Sequence, residues 1–192
     1  MGDLGSLDID YHEHDHVRRL IDVSTYVLEW LSLKTDQWDD PTFKGPGLYL
    51  AIVAAPSVGS YADPMGTNRW PIEDCRTVLD DHDAFAAAAE RVATECDGAM
   101  VVSVDGAIHE QMVRFRNPAS REGGYAAWMG SRHMSALDTS RQESVVATLT
   151  LSQEDGRVTV FRDGEYEAVE RASIASRWRA ADERGVVSSI EE

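Results

Sequence analysis

Residues 101–156 read VVSVDGAIHEQMVRFRNPASREGGYAAWMGSRHMSALDTSRQESVVATLTLSQEDG, and the fold is decided there. Two apolar runs, Ala99 to Val104 and Ile108 to Phe115, flank Asp105-Gly106, a dipeptide that strongly signals a tight hairpin. A second hairpin joins Val145–Leu151 to Arg157–Phe161 across the acidic turn Ser152-Gln153-Glu154-Asp155-Gly156. Between the two, Tyr125 to Met129 leads up to Gly130, and Arg132 to about Ser140 reads as a short helix. Hairpins interleaved with helices predict an α/β fold, a single domain with a central mixed β-sheet flanked by helices. A purely parallel doubly wound sheet fits these hairpins poorly.

Upstream, Leu48 to Ala55 (LYLAIVAA) is apolar throughout, as expected of a strand buried on both faces. Ala84 to Glu95 predicts a helix with N-cap candidates in Asp81-His82-Asp83, ended by Asp97-Gly98. From His16 to Leu33, residues Val17, Leu20, Ile21, Val27, Leu28 and Leu31 recur at helical spacing and predict an amphipathic helix. Residues 1–10 read as a loose tail, and 56–71 as a long loop. Downstream, Asp163-Gly164 marks a tight turn, and Glu170 to Asp182 a surface helix with Ile174, Trp178 and Ala181 facing in. The expected division is a tail and helix over 1–45, followed by the main domain over 46–192.

The 192 residues carry 34 acidic against 18 basic side chains, for a formal net charge of -16. Lys34 and Lys44 are the only lysines. The acids are scattered along the chain, a distribution suited to concentrated salt, where screening relieves self-repulsion. A cationic partner is the alternative. Either way the field opposes duplex nucleic acid and anionic membranes as partners. Cys75 and Cys96 lack the spacing of a zinc site or a disulfide framework. No apolar run reaches membrane-spanning length and the N-terminus lacks a signal-peptide plan, so a reduced, cytoplasmic setting is expected. His12, His14 and His16 alternate with acids, but alternate positions at a helix start do not share a face, so a solvated helix start is expected.

Three turns carry candidate chemistry. Taken singly, Asp105-Gly106 and Glu154-Asp155-Gly156 are ordinary hairpin turns. Arg132 and His133 are less ordinary, because cations at a helix start oppose the helix dipole. They make sense where backbone N–H groups and both side chains meet one phosphate. The competing explanation is structural, with Arg132 bridged to a nearby acid and His133 half buried.

In order and spacing, Asp105-Gly106-Ala107, Gly130-Ser131-Arg132-His133 and Ser152 to Gly156 resemble the catalytic half of a diadenylate cyclase (DAC) domain. That family carries a D-G-A turn, a G-T-R-H-R helix start and an S-E-E-T-G acidic turn. The resemblance runs from about Gly98 to Glu167, and the acidic surface suits a salt-adapted, archaeal-type member. It implies condensation of two ATP molecules into cyclic di-AMP with release of pyrophosphate, across the interface of a homodimer or higher even oligomer. It also implies a divalent cofactor, Mn2+ or Mg2+, on Asp105 and Glu154. Gly106 and Ala107 would let backbone approach the nucleotide, Gly130 and Ser131 would border it, and Arg132 and His133 would grip the phosphates.

The chain departs from the pattern at Met134, where the family has a second arginine, and more mildly at Ser131 and Gln153. No histidine precedes the D-G-A turn. Met134 keeps a second reading open, a module that binds adenine nucleotide or cyclic dinucleotide without making it. A third reading, a structural or interaction protein, predicts no nucleotide binding at all.

Overall fold

The structure is a computed structural model that describes residues 14–40, 42–54, 62–65, 78–116 and 124–183. The tail with His12, Cys75, and loop residues 56–61, 66–71 and 117–123 lie outside the described residues. In chain order the elements are α1 (Asp15–Lys34), β1 (Leu48–Val53), β2 (Ala62–Pro64), α2 (His82–Glu95), β3 (Ala99–Ser103) and β4 (Ile108–Phe115). They continue as α3 (Ser131–Thr139), β5 (Val145–Leu151), β6 (Val158–Arg162), β7 (Glu165–Val169) and α4 (Arg171–Asp182). The strands form one sheet in the order β2-β4-β3-β1-β5-β6-β7. β1 and β3 run parallel, and the other neighbouring pairs are antiparallel. This is the expected mixed sheet. The sequence hid β2 and β7, because one is three residues long and the other, Glu-Tyr-Glu-Ala-Val, is an exposed edge strand with no apolar face.

β1 is fully buried because both faces of the sheet are covered there. Leu48, Leu50 and Ile52 share one core with Leu20 and Leu28 of α1, Phe85 and Val92 of α2, and Ile174 of α4. Tyr49, Ala51 and Val53 point the other way, into a second cluster with Ala136 and Leu137 of α3, Phe115 and Phe161. Among the described helices, three thus cover one face and α3 covers the other. The alternation follows from the two-residue period of a strand.

Local chemistry sets the helix ends. The Asp81 carboxylate accepts the Ala84 N–H at 2.9 Å, capping α2. At α1, the His14 ring nitrogen accepts from the His16 N–H at 3.3 Å, a helix-cap role. α4 is anchored where Glu29 accepts from Arg177 and, at 2.7 Å, from the Trp178 indole, whose ring stacks on Tyr26 at 4.9 Å.

Strand register decides which turns meet. Leu48 pairs with Leu151, Leu50 with Met100, and Ala99 with Val113. The beginnings of β1 and β3 and the ends of β4 and β5 therefore share one rim of the sheet. Gly47, Asp97-Gly98 and Ser152–Gly156 gather at that rim. The turn at Asp105 follows the far end of β3 and lies at the opposite rim.

Candidate nucleotide-binding site

A cleft of about 470 Å³ opens at the first rim, within the roughly 300–1,000 Å³ common for small-molecule sites. Gly130, Ser131, Arg132 and His133 line it from the start of α3, Gln153 and Glu154 from the acidic turn, and Asp97 and Gly98 from the start of β3. Tyr49, Val113, Phe115 and Trp128 supply apolar wall.

The start of α3 has the features that suit an anion. Gly130 caps it with no side-chain hydrogen bond, and no acid stands in the first turn. The first backbone N–H to close a helical bond is that of Met134, onto the Gly130 carbonyl at 3.0 Å. The N–H groups of residues 131–133 make no hydrogen bond among the described residues, so orphan donors and the positive dipole end face the cleft.

Arg132 is half-buried and makes no ion pair within 4.0 Å among the described residues. Burial holds its pKa below the usual arginine value, and the Asp97 charge partly offsets this. Its guanidinium lies where a side chain on Gly47 would sit, beside Gln153. Gly98 is held at φ +95°, where a Cβ would press on the Val113 carbonyl at 3.0 Å, so glycine is needed there.

His133 is buried, at 6% exposure, and its Nε2 has no hydrogen-bond partner among the described residues. Burial drops its pKa from 6.5 to about 4; Asp155 opposes the shift, while Arg132 and Arg157 add to it. At neutral pH His133 is a neutral ring, not the phosphate-gripping cation the sequence suggested. Trp128 meets it edge to face at 5.1 Å, and the Arg157 guanidinium lies over the Trp128 ring at 4.6 Å. Because the unfolded chain takes up this proton first, stability is full above pH 6.5 and falls until the folded-state value near 4 is passed. Urea titrations from pH 7 to 4 should show this loss, and a His133→Asn variant should lose less over the same window.

Asp105, Gly106 and Ala107 are not in the cleft, which corrects the placement read from the sequence. The five residues of β3 stand between, about 15 Å at roughly 3.3 Å per residue. The Asp105 carboxylate accepts from the Ser103 hydroxyl and from the Ala107 N–H at 3.1 Å, and the Ser103 bond, then the Ala107 bond, lowers its pKa. Gly106, at φ +87°, accepts from the Val78 N–H at 2.7 Å, and the Ala107 carbonyl accepts the Ser103 N–H at 2.9 Å. All three residues serve the hairpin turn. The chain holds a second Asp-Gly-Ala triplet, 97–99, and this one opens β3 at the cleft. The duplicate triplet was the available signal, masked because Asp97-Gly98 also reads as a helix stop.

The proposed metal pair of Asp105 and Glu154 is separated by the same distance. Asp97 and Glu154 are the carboxylates that line the cleft, and no cluster of three or more metal-ligating side chains occurs among the described residues. Two carboxylates fit a hard cation such as Mg2+ or Mn2+ that completes its shell with phosphate oxygens and water. Met134, in contrast, is absent from the cleft lining and packs on the apolar cluster under α3.

Residues 85–166 match the model of the DAC family, described as DisA bacterial checkpoint controller nucleotide-binding. No curated protein matches the chain. Among solved structures, one described as a hypothetical membrane spanning protein from Bacillus cereus aligns with TM-score 0.54 and 16% identity over 78% of this chain. The chain spans 63% of that protein's length. A double mutant of DacA from Staphylococcus aureus aligns with TM-score 0.51 and 15% identity, covering 86% of this chain and 95% of the other. No described helix here is long and apolar enough to cross a membrane.

Proposed function

We propose that this chain, which carries a DAC-family domain over residues 85–166, is a diadenylate cyclase that condenses two ATP molecules into cyclic di-AMP. The observation that carries the proposal is the convergence of Asp97, Arg132, His133 and Glu154 on one cleft at an uncapped helix start. The triphosphate lies against the α3 N–H groups, with Arg132 as its charged donor and Asp97 and Glu154 holding Mg2+ or Mn2+. Bound there, the cation offsets phosphate charge and favours ionisation of the 3′-hydroxyl.

One cleft holds one ATP, so the ring product requires two copies facing each other. Each 3′-oxygen bonds to the other nucleotide's α-phosphorus. Each α-phosphorus releases its pyrophosphate, and each attacking hydroxyl loses a proton to solvent. Catalysis is then mainly positioning and charge neutralisation.

The test is incubation of the full chain with ATP and Mn2+ or Mg2+ in molar potassium chloride, with cyclic di-AMP read by mass spectrometry. Product supports the proposal, and a dimeric, metal-supplied protein that yields none overturns it. ATP binding without turnover would favour the second reading, a non-catalytic nucleotide module, which the missing arginine at Met134 motivates.

Two variants probe the cleft. Gly47→Ala should displace the Arg132 guanidinium and cut kcat/KM about 10- to 100-fold without unfolding the chain, as steady-state assays and circular dichroism would show. Met134→Arg should not rescue activity, because that side chain packs under α3. It should instead cost about 1–2 kcal/mol by urea denaturation.

A further inference from the structure

We propose that the hydroxyls of Thr150 and Thr159 hold His133, through one buried water molecule, in the tautomer that presents Nδ1–H to the cleft. The inference rests on the nucleotide reading of that cleft.

Thr150 of β5 and Thr159 of β6 are register partners, both fully buried, and neither Oγ1 has a hydrogen-bond partner among the described residues. Tyr49 pairs with Thr150 from the other side, so the three residues form one row across the face that α3 covers. α3 runs along β5 in the opposite sense. The Thr148 hydroxyl donates to the Ala136 carbonyl at 2.8 Å, while Ser152, just past the end of β5, shares the cleft with Arg132 at the helix start. His133 precedes Ala136 by about 4.5 Å of helix, and Thr150 follows Thr148 by about 6.6 Å of strand. The imidazole therefore stands over the threonine row.

Thr150 Oγ1, Thr159 Oγ1 and His133 Nε2 are each buried without a hydrogen-bond partner among the described residues, and the course of α3 along β5 carries the ring toward the threonine pair. Buried polar atoms find partners, and an enclosed water typically makes about 2–4 hydrogen bonds. A single water satisfies this set.

The consequence concerns the ring's proton. A neutral imidazole has one donor and one acceptor nitrogen. His133 Nδ1 has no partner among the described residues, yet it is not sealed as Nε2 is, and the ring lines the cleft. Phosphate oxygens only accept, so a neutral His133 serves them only with the proton on Nδ1. Nε2 must then accept from below, and the hydroxyl pair with its water supplies that donor.

The experiment uses the full chain with 15N-labelled histidine, His133 being assigned by the signal lost in His133→Asn. The expected result is the Nδ1–H tautomer in the wild type and a shift toward Nε2–H in the Thr150→Val/Thr159→Val variant. KM for ATP should rise about 3- to 10-fold with kcat little changed, and Thr150→Ser/Thr159→Ser should restore both signals. An Nε2–H ring in the wild type, or an unchanged tautomer in the folded double-valine variant, overturns the proposal. A tautomer that responds as expected in a protein that binds no ATP would support the threonine assignment while sinking the cyclase reading.

Discussion

An Asp97→Asn protein should lose cyclic di-AMP synthesis by on the order of 10²–10³-fold, while Asp105→Asn stays within about threefold of wild type. Sequence order alone cannot separate the two, since both aspartates open an Asp-Gly-Ala triplet. The sheet separates them. Asp97 lies at the rim shared with Arg132 and Glu154, and its charge reaches Arg132. Asp105 is at the other end of β3 with its carboxylate engaged by Ser103 and Ala107. Asp97→Asn removes a carboxylate that would hold the proposed cation and the charge that steadies the arginine, with little change in shape. Asp105→Asn keeps an oxygen that can still accept the Ala107 N–H, so its main effect is a small stability cost. Parallel turnover assays on both variants decide the matter: comparable losses, or a larger one at Asp105, would refute the assignment.

The second large effect is expected at Arg132, with opposite signs for function and stability. Arg132→Met removes a charge-assisted donor worth about 1.5–3 kcal/mol, so ATP affinity should fall about 10- to 150-fold at about 1.4 kcal/mol per tenfold. The same change relieves a half-buried cation that has no ion pair among the described residues. The ligand-free fold should therefore gain about 0.5–2 kcal/mol. Calorimetric titration with ATP and urea denaturation read the two signs separately. Arg132→Lys should recover only part of the affinity, because an ammonium lacks the planar fork that grips phosphate. If Arg132→Met destabilised the ligand-free protein, Arg132 would be a structural residue and the anion site would need another owner.

Such a trade-off accounts for the oddity noticed in the primary structure, two basic residues at a helix start. Neither forms an ion pair among the described residues. His133 is kept neutral by burial between α3, Trp128 and the sheet. The structural alternative, Arg132 bridged to a nearby acid, is not what the fold contains among its described residues.

The mixed sheet, its four expected hairpin strands, the helices at 15–34, 82–95, 131–139 and 171–182, and the likeness of residues 85–166 to the DAC family model were all legible from local pattern. Periodicity, turn dipeptides and caps act between residues a few positions apart, and those interactions survive unchanged in the folded protein. The short helix that begins at Gly130 with Arg132 and His133 in its first turn was legible for the same reason. What no local pattern could decide was which turn faces which. The choice between Asp97 and Asp105 depends on the parallel register of β1 with β3 and the antiparallel register of β1 with β5. Those pairings join residues about fifty and a hundred positions apart, and they are fixed by packing both faces of β1 rather than by any turn. The neutrality of His133 is likewise tertiary, because only burial under α3 removes the water that would keep its proton.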